Sequence, residues 1–209
     1  MNLDLYVDTS RKGISIALSA QGIYEEIVDS AAKGETLSAS LDSLLAKVSA
    51  TLDDVKRVMV TVGPGSFSGL RTGVAFCQGL SFSGKRELYG VTTLQALACF
   101  AGAQDEPVAV VIRARNGFWY LLLNGEESFI ETAEVVERLK AGPVKFVVAD
   151  EAANADEALQ ATFAEMGAAV TLDANKPLHM WAPLFDKVKP SLIQEANYIQ
   201  PSYFEKLHK

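Results

Sequence analysis

Apolar residues recur along this chain with a period that changes several times, and each change marks an element. Leu3, Leu5 and Val7 alternate and the run ends on Asp8, the pattern of a strand buried on one face. Thr9-Ser10-Arg11-Lys12-Gly13 reads as a turn and Ile14-Ser15-Ile16-Ala17-Leu18 as a second strand. Residues 23–28, beyond Ala20-Gln21-Gly22, complete a three-stranded meander. The spacing then lengthens: Leu37, Leu41, Leu44, Leu45 and Val48 predict one face of a helix over 36–49, whose other face holds the small residues Ser38, Ala39, Ser43 and Ala46. Val58-Met59-Val60-Thr61-Val62 predicts a strand, 70–83 a helix, 88–91 a strand, and Thr92 or Thr93 caps a helix through Leu94, Leu97 and Ala98.

At Gly102-Ala103-Gln104-Asp105-Glu106-Pro107 the pattern breaks and starts again. A strand over 108–112, the hairpin signal Asn116-Gly117, strands over 118–123 and 128–130, a helix over 133–140 and a strand over 144–148 follow. A helix over 155–166, a strand over 169–172 and a helix over 180–188 complete the series. The second half repeats the order of the first in pattern, not in residues. The expected fold is α/β with two lobes, 1–103 and 104–209, each a mixed sheet with helices, related as a degenerate repeat. Residues 196–204 are aromatic and are expected to dock on the second lobe.

Composition narrows the function classes. At 49% hydrophobic and 22% charged residues the chain is of globular type, with no apolar run long enough to span a membrane and no signal-peptide layout at its start. Cys77 and Cys99 sit in apolar helical patterns as free thiols, so a cytoplasmic setting is expected. A net charge of −7 with scattered Lys and Arg argues against autonomous nucleic-acid binding.

The stretch richest in candidate chemistry is Gly63-Pro64-Gly65-Ser66-Phe67-Ser68-Gly69-Leu70-Arg71-Thr72-Gly73, between a strand and a helix. A helix N-terminus there favours anions, yet no Lys-Ser or Lys-Thr follows the last glycine, and the spacing is not that of a dinucleotide fingerprint. Gly73 and Gly79 inside the helix each cost about 1 kcal/mol against alanine, which favours close packing of something against it. Asp8-Thr9-Ser10 has two readings, a metal- and phosphate-holding hairpin or a turn stabilised by its own aspartate; the equivalent second-lobe hairpin carries Arg113 and Arg115 rather than a matching carboxylate. His179 and His208 lack a second ligand at metal spacing, and no Gly-x-Ser-x-Gly elbow occurs. Catalytic, cofactor and metal residues are therefore expected to be absent.

Asp8-Thr9-Ser10, the glycine stretch and Gly90-Val91-Thr92-Thr93-Leu94-Gln95-Ala96-Leu97-Ala98 together resemble the TsaB family, the accessory or dimerisation subunits of bacterial tRNA threonylcarbamoyladenosine synthesis, also classed as glycoprotease-like. The likeness is close over 1–100 and loose beyond. Ser68 stands where the family more often has threonine, and Pro201-Ser202-Tyr203-Phe204 is similar to a terminal Pro-x-Tyr-Leu-Arg, with Phe204 and Glu205 departing from it. The resemblance implies an actin-like, RNase H-like fold and a non-catalytic role beside the transferase TsaD in modifying adenosine 37 of tRNA. It further implies a TsaE-like ATPase partner, tRNA met only within the complex, and a homodimer when alone. The catalytic relative has a His-x-x-x-His pair where Thr93 and Leu97 stand here, and Arg113 replaces the aspartate of an Asp-Ala-Arg sequence. First-lobe helices form the family's subunit contact, so Ser38, Ala39, Ser43, Leu70, Gly73, Val74 and Cys77 are expected at the interface, with Gly63, Pro64, Gly65, Ser66 and Gly69 as a structural loop. The competing reading is a small-molecule kinase or nucleotide-binding protein of the same fold that uses Asp8 and Thr9. A protease rests on the family's catalogue name alone.

Overall fold

The computed structural model describes residues 1–32, 34–103, 106–174 and 176–199. They divide into two compact units, Met1–Thr93 with Pro177–Asn197, and a second beginning Leu94–Lys176.

In the first unit β1 (Leu3–Asp8), β2 (Ile14–Ala20) and β3 (Ile23–Asp29) form the antiparallel meander, while β4 (Val55–Thr61) and β5 (Glu87–Val91) run parallel to β1. The order is β3-β2-β1-β4-β5. Alternation sends Leu3, Leu5, Val7, Ile14, Ile16, Leu18, Val58 and Val60 to one face, where α1 (Leu37–Lys47) and α2 (Phe67–Ser81) cover them with Leu37, Leu41, Leu44, Val74 and Cys77. Tyr6 and Tyr89 point to the other face and meet Phe185 at ring distances of 5.7 and 4.8 Å, with Trp181 edge-on to Tyr6. The segment carrying those aromatics, expected as an α-helix over 180–188, is a 3-10 helix over Leu178–Asp186; Pro183 lies inside it and has no N–H for a helical bond.

The second unit repeats the plan. β6 (Val108–Arg115), β7 (Phe118–Leu123) and β8 (Glu126–Glu131) are antiparallel, and β9 (Phe146–Ala149) and β10 (Ala169–Leu172) run parallel to β6, in the order β10-β9-β6-β7-β8. α4 (Thr132–Ala141), α5 (Glu151–Ala155) and α6 (Glu157–Met166) follow, and Val135, Leu139, Leu159 and Phe163 pack on Val111, Trp119 and Leu121. The helix expected over 155–166 is α6, capped by Asp156, while α5, which Asp150 caps just before it, is not expected from the apolar spacing. Counted from its own first strand, each sheet has the order 3-2-1-4-5, the two-lobed actin-like arrangement.

The boundaries differ from a cut between 103 and 104. α3 (Thr93–Ala98) and the 3-10 turn Cys99–Ala101 fall almost entirely in the second unit, and Pro177–Asn197 returns to the first. Burial explains both: Leu94, Leu97 and Phe100 are buried apolar side chains of the second unit, whereas Trp181 and Phe185 fill the open face of the first sheet. The Gly-Pro break read as a boundary is a connection within one unit. Asn197 donates its N–H to the Val62 carbonyl at 2.6 Å, so the tail expected on the second lobe belongs to the first unit up to that residue and to the second from Tyr198; residues 200–204 lie outside the described residues.

Candidate functional site

The glycine stretch joins β4 to α2 at the C-terminal edge of the first sheet. Gly63 has φ 115°, a conformation closed to most side chains, and the Gly63–Pro64 bond is cis. Ser66 caps α2 by accepting the Gly69 N–H at 3.3 Å. Its own N–H donates to the Ser10 carbonyl at 2.7 Å, and Thr93 N–H donates to the Gly63 carbonyl at 2.8 Å.

What the glycines admit is the chain's own first hairpin. A Cβ added at Gly65 would fall on the Ser10 backbone, at Gly69 on the Thr9 carbonyl and at Gly73 on the Thr9 hydroxyl. The segment ending at Asn197 closes the loop from another side, because a Cβ at Gly63 would meet the Asn197 carbonyl and one at Gly90 the Gln194 amide. Gln78 of α2 holds that segment through the Leu192 and Gln194 carbonyls at 3.3 and 3.4 Å, and Ser191 N–H bonds to the Leu88 carbonyl at 2.8 Å. Asp8 takes the Ser10 N–H and the Thr61 hydroxyl on one oxygen, both at 2.8 Å, which is the self-stabilised turn of its two readings. None of Gln194, Asn197 or the Thr61–Asp8 bond was legible as part of this site; Gln194, Asn197 and Asp8 lie far from the loop in sequence, and only the unexplained glycines hinted at a close neighbour.

The helix residues expected at an interface separate into two groups. Ser38, Ala39 and Ser43 are exposed on α1. Leu70, Gly73, Val74 and Cys77 are buried within the first unit, Leu70 and Cys77 completely, and this corrects their placement at the surface. Their spacing of three or four puts them on the stripe facing the sheet, and burial pushes the Cys77 thiol well above its ordinary range. The outward face of α2 is instead Phe67, Arg71, Ala75 and Gly79, continued by Phe82, with Phe67 and Phe82 at 58% and 80% exposure. The 3-10 turn leading into α1 lies against α2, since a Cβ on Gly34 would meet the Thr72 side chain.

Elsewhere the geometry offers less. Thr93 and Leu97 are buried, 1% and 4% exposed. Among the described residues no three His, Cys, Asp or Glu side chains gather where they could hold a metal. An open depression of about 570 Å³ bordered by Asp4, Lys56 and Arg57 lies at the opposite end of the first sheet from the glycine loop; there Arg57 pairs with both oxygens of Asp4 at 2.6 and 2.7 Å and lies over the Phe185 ring at 4.0 Å. In the second unit Asp150 accepts the Arg113 N–H of β6 at 2.8 Å while capping α5, so that carboxylate, too, is engaged by backbone N–H groups.

A doubled 3-2-1-4-5 sheet with a self-filled glycine loop defines a two-lobed α/β protein of actin-like type. Residues 13–176 match the family described as TsaD: tRNA N6-adenosine threonylcarbamoyltransferase, and the chain belongs to that family. Within it the chain is TsaB-like: it is 26% identical over 159 residues to the tRNA threonylcarbamoyladenosine biosynthesis protein TsaB of Buchnera aphidicola, covering 69% of this chain and 76% of that one. It is 33% identical over 115 residues to the TsaB of Haemophilus influenzae, covering 53% and 49%. The matched part thus spans about half the length of the second relative. A Pseudomonas aeruginosa protein described as similar to peptidase YEAZ shares the fold with a TM-score of 0.67 at 22% identity, over 96% of this chain and 100% of that one. No helix among the described residues is long and apolar enough to cross a membrane.

Proposed function

We propose that this chain is a non-catalytic partner subunit of tRNA threonylcarbamoyl transfer, holding a TsaD-like transferase in a competent form for modification of adenosine 37. The observation that carries the reading is the self-filled glycine loop of a family member. At the N-terminus of α2, where a related catalytic fold would offer N–H groups to a ligand, the Ser66 N–H goes to Ser10 and the Gly69 N–H to Ser66, and Thr9 and Ser10 occupy the space beside the glycines. One oxygen of Asp8 is likewise held by Ser10 and Thr61, which counts against the kinase reading.

The partner surface we assign is the outer face of α1 and α2: Ser38, Ala39 and Ser43 beside Ala75, Gly79 and the exposed rings of Phe67 and Phe82. Small side chains let a second helix pair approach closely, and two exposed phenylalanines on one helix supply apolar area to bury. The same face serves a homodimer when the chain is alone, a TsaE-like ATPase joins the assembled pair, and the setting is cytoplasmic.

Light scattering after gel filtration tests this with the TsaD subunit of the same organism. The expected result is a mixed complex that forms at the expense of the homodimer. Separate elution of the two proteins at micromolar concentration contradicts the reading.

A further inference from the structure

The hairpin between β6 and β7 carries an arrangement that the assigned partner face leaves unused. Arg113 and Arg115 flank a bulge in the ladder and both are exposed. The Arg115 guanidinium lies over the Phe118 ring at 4.4 Å and near Phe129 at 5.3 Å, and Arg113 lies over Trp119 at 5.2 Å. Phe118 and Phe129 stack with centroids 5.0 Å apart and planes 8° from parallel, and Tyr120 tilts against Phe129 at 5.8 Å.

Acidic residues outnumber basic ones in this chain, 26 to 19, so a cation usually finds a carboxylate. Arg57, Arg86 and Arg138 each do, within 3.6 Å. Arg113 and Arg115 have no ion pair among the described residues; Glu131, opposite Phe118 in the ladder, pairs with neither, and Asp150 is taken up by N–H groups. A guanidinium stacked on a ring uses its face and keeps its N–H donors in the plane, free for an anion. The hairpin also stands at the C-terminal end of β6, beside β9, where the strand order reverses and open α/β sheets receive ligands.

Against the expectation drawn from the net charge of −7, we propose that this hairpin, as a local cationic site, is a contact for single-stranded RNA. Arg115, backed by Phe118 and Phe129, offers the outer face of its guanidinium to an unpaired base and its N–H edge to a phosphate, and Arg113 takes a neighbouring phosphate. An acidic peptide would use the guanidinium edges alone, whereas unpaired nucleotides use the edges for phosphate and the ring-backed face for a base. The contact deepens the proposed function and rests on it only for the source of the RNA, which is then the tRNA of the transfer reaction.

Fluorescence anisotropy of the full chain with a labelled ten-nucleotide single-stranded RNA, and with tRNA, tests this at low salt. Arg115→Ala is expected to weaken binding about tenfold and to lower the slope of log affinity against log salt by about 0.7, the value for one phosphate contact on a single strand. Arg113→Ala lowers the slope in the same way, and Arg115→Lys restores part of the affinity. Arg138→Ala, an equal loss of charge on α4, leaves affinity within about twofold, since it removes no phosphate contact. Circular dichroism confirms that each variant is folded. Three results overturn the inference: no binding by the unmodified chain, an equal loss with Arg138→Ala, or displacement of RNA by polyglutamate as efficient as by unlabelled RNA. The last would assign the hairpin to an acidic protein surface. Complex formation with the transferase is read separately, so either proposal can fail while the other stands.

Discussion

A single methyl group distinguishes the two uses a sequence reader can give Gly73. At a subunit interface an added methyl would disturb association; against the Thr9 hydroxyl it disturbs folding. Gly73→Ala is expected to destabilise the first unit by about 1–3 kcal/mol from overpacking, offset in part by about 1 kcal/mol of helix propensity. Thr9→Ala removes the colliding hydroxyl, so the double variant recovers stability with a coupling of about 1 kcal/mol or more in denaturant unfolding. Additive losses would mean that Thr9 is not what the glycine accommodates. Nothing around Gly73 in sequence names Thr9, which lies on another element. The need for close approach was legible in the glycine spacing; its partner was not.

At the scale of elements, helices and strands followed from period, and the departures trace to polar residues whose partners are local but conditional. Asp156 starts the expected helix and Asp150 starts a short extra one before it, because each accepts a backbone N–H three residues on. The segment Leu178–Asp186 is held to the sheet partly by Leu178 N–H donating to the Tyr24 hydroxyl at 2.9 Å. Burial first, then the hydrogen bond and charge of Glu26, push the Tyr24 phenol above its ordinary value. A folded pKa above the unfolded one contributes stability that is complete below the unfolded value and is lost as pH rises past it. Tyr24→Phe is therefore expected to destabilise the protein by about 1 kcal/mol at neutral pH. The difference from the unmodified chain should stay constant from about pH 6 to 9 and shrink only beyond about pH 10, where the unfolded phenol ionises. A difference that changes between pH 6 and 9 would place the effect elsewhere.

The outer faces of α1 and α2 make the corresponding test of surface against core. Ser43→Arg and Ala75→Arg alter exposed positions and should shift unfolding by no more than about 0.5 kcal/mol while abolishing association. Val74→Glu buries an unpaired charge and should unfold the first unit. Association that survives both arginine variants moves the interface off this face. The sequence marked the outer face of each helix as small or apolar but assigned Leu70, Val74 and Cys77 outward. The sheet they cover is built from strands on both sides of them in the chain, and local spacing does not say which stripe it takes.

For the whole molecule, the repeat of a meander followed by two parallel strands was legible because alternation and turn residues carry it in both halves. The return of Pro177–Asn197 to the first unit was not, since it depends on Tyr6 and Tyr89 leaving a sheet face open for Trp181 and Phe185. That return also delivers Gln194 and Asn197 to the glycine loop and completes its closure. The central claim is that a loop closed in this way belongs to a subunit that acts through its partner. The most direct measurement is formation of threonylcarbamoyladenosine in tRNA by the transferase and ATPase subunits of the same organism, with and without this chain. Product that requires the chain, and is lost with Ser43→Arg although that variant unfolds like the original, is the predicted result; equal product without the chain would contradict it.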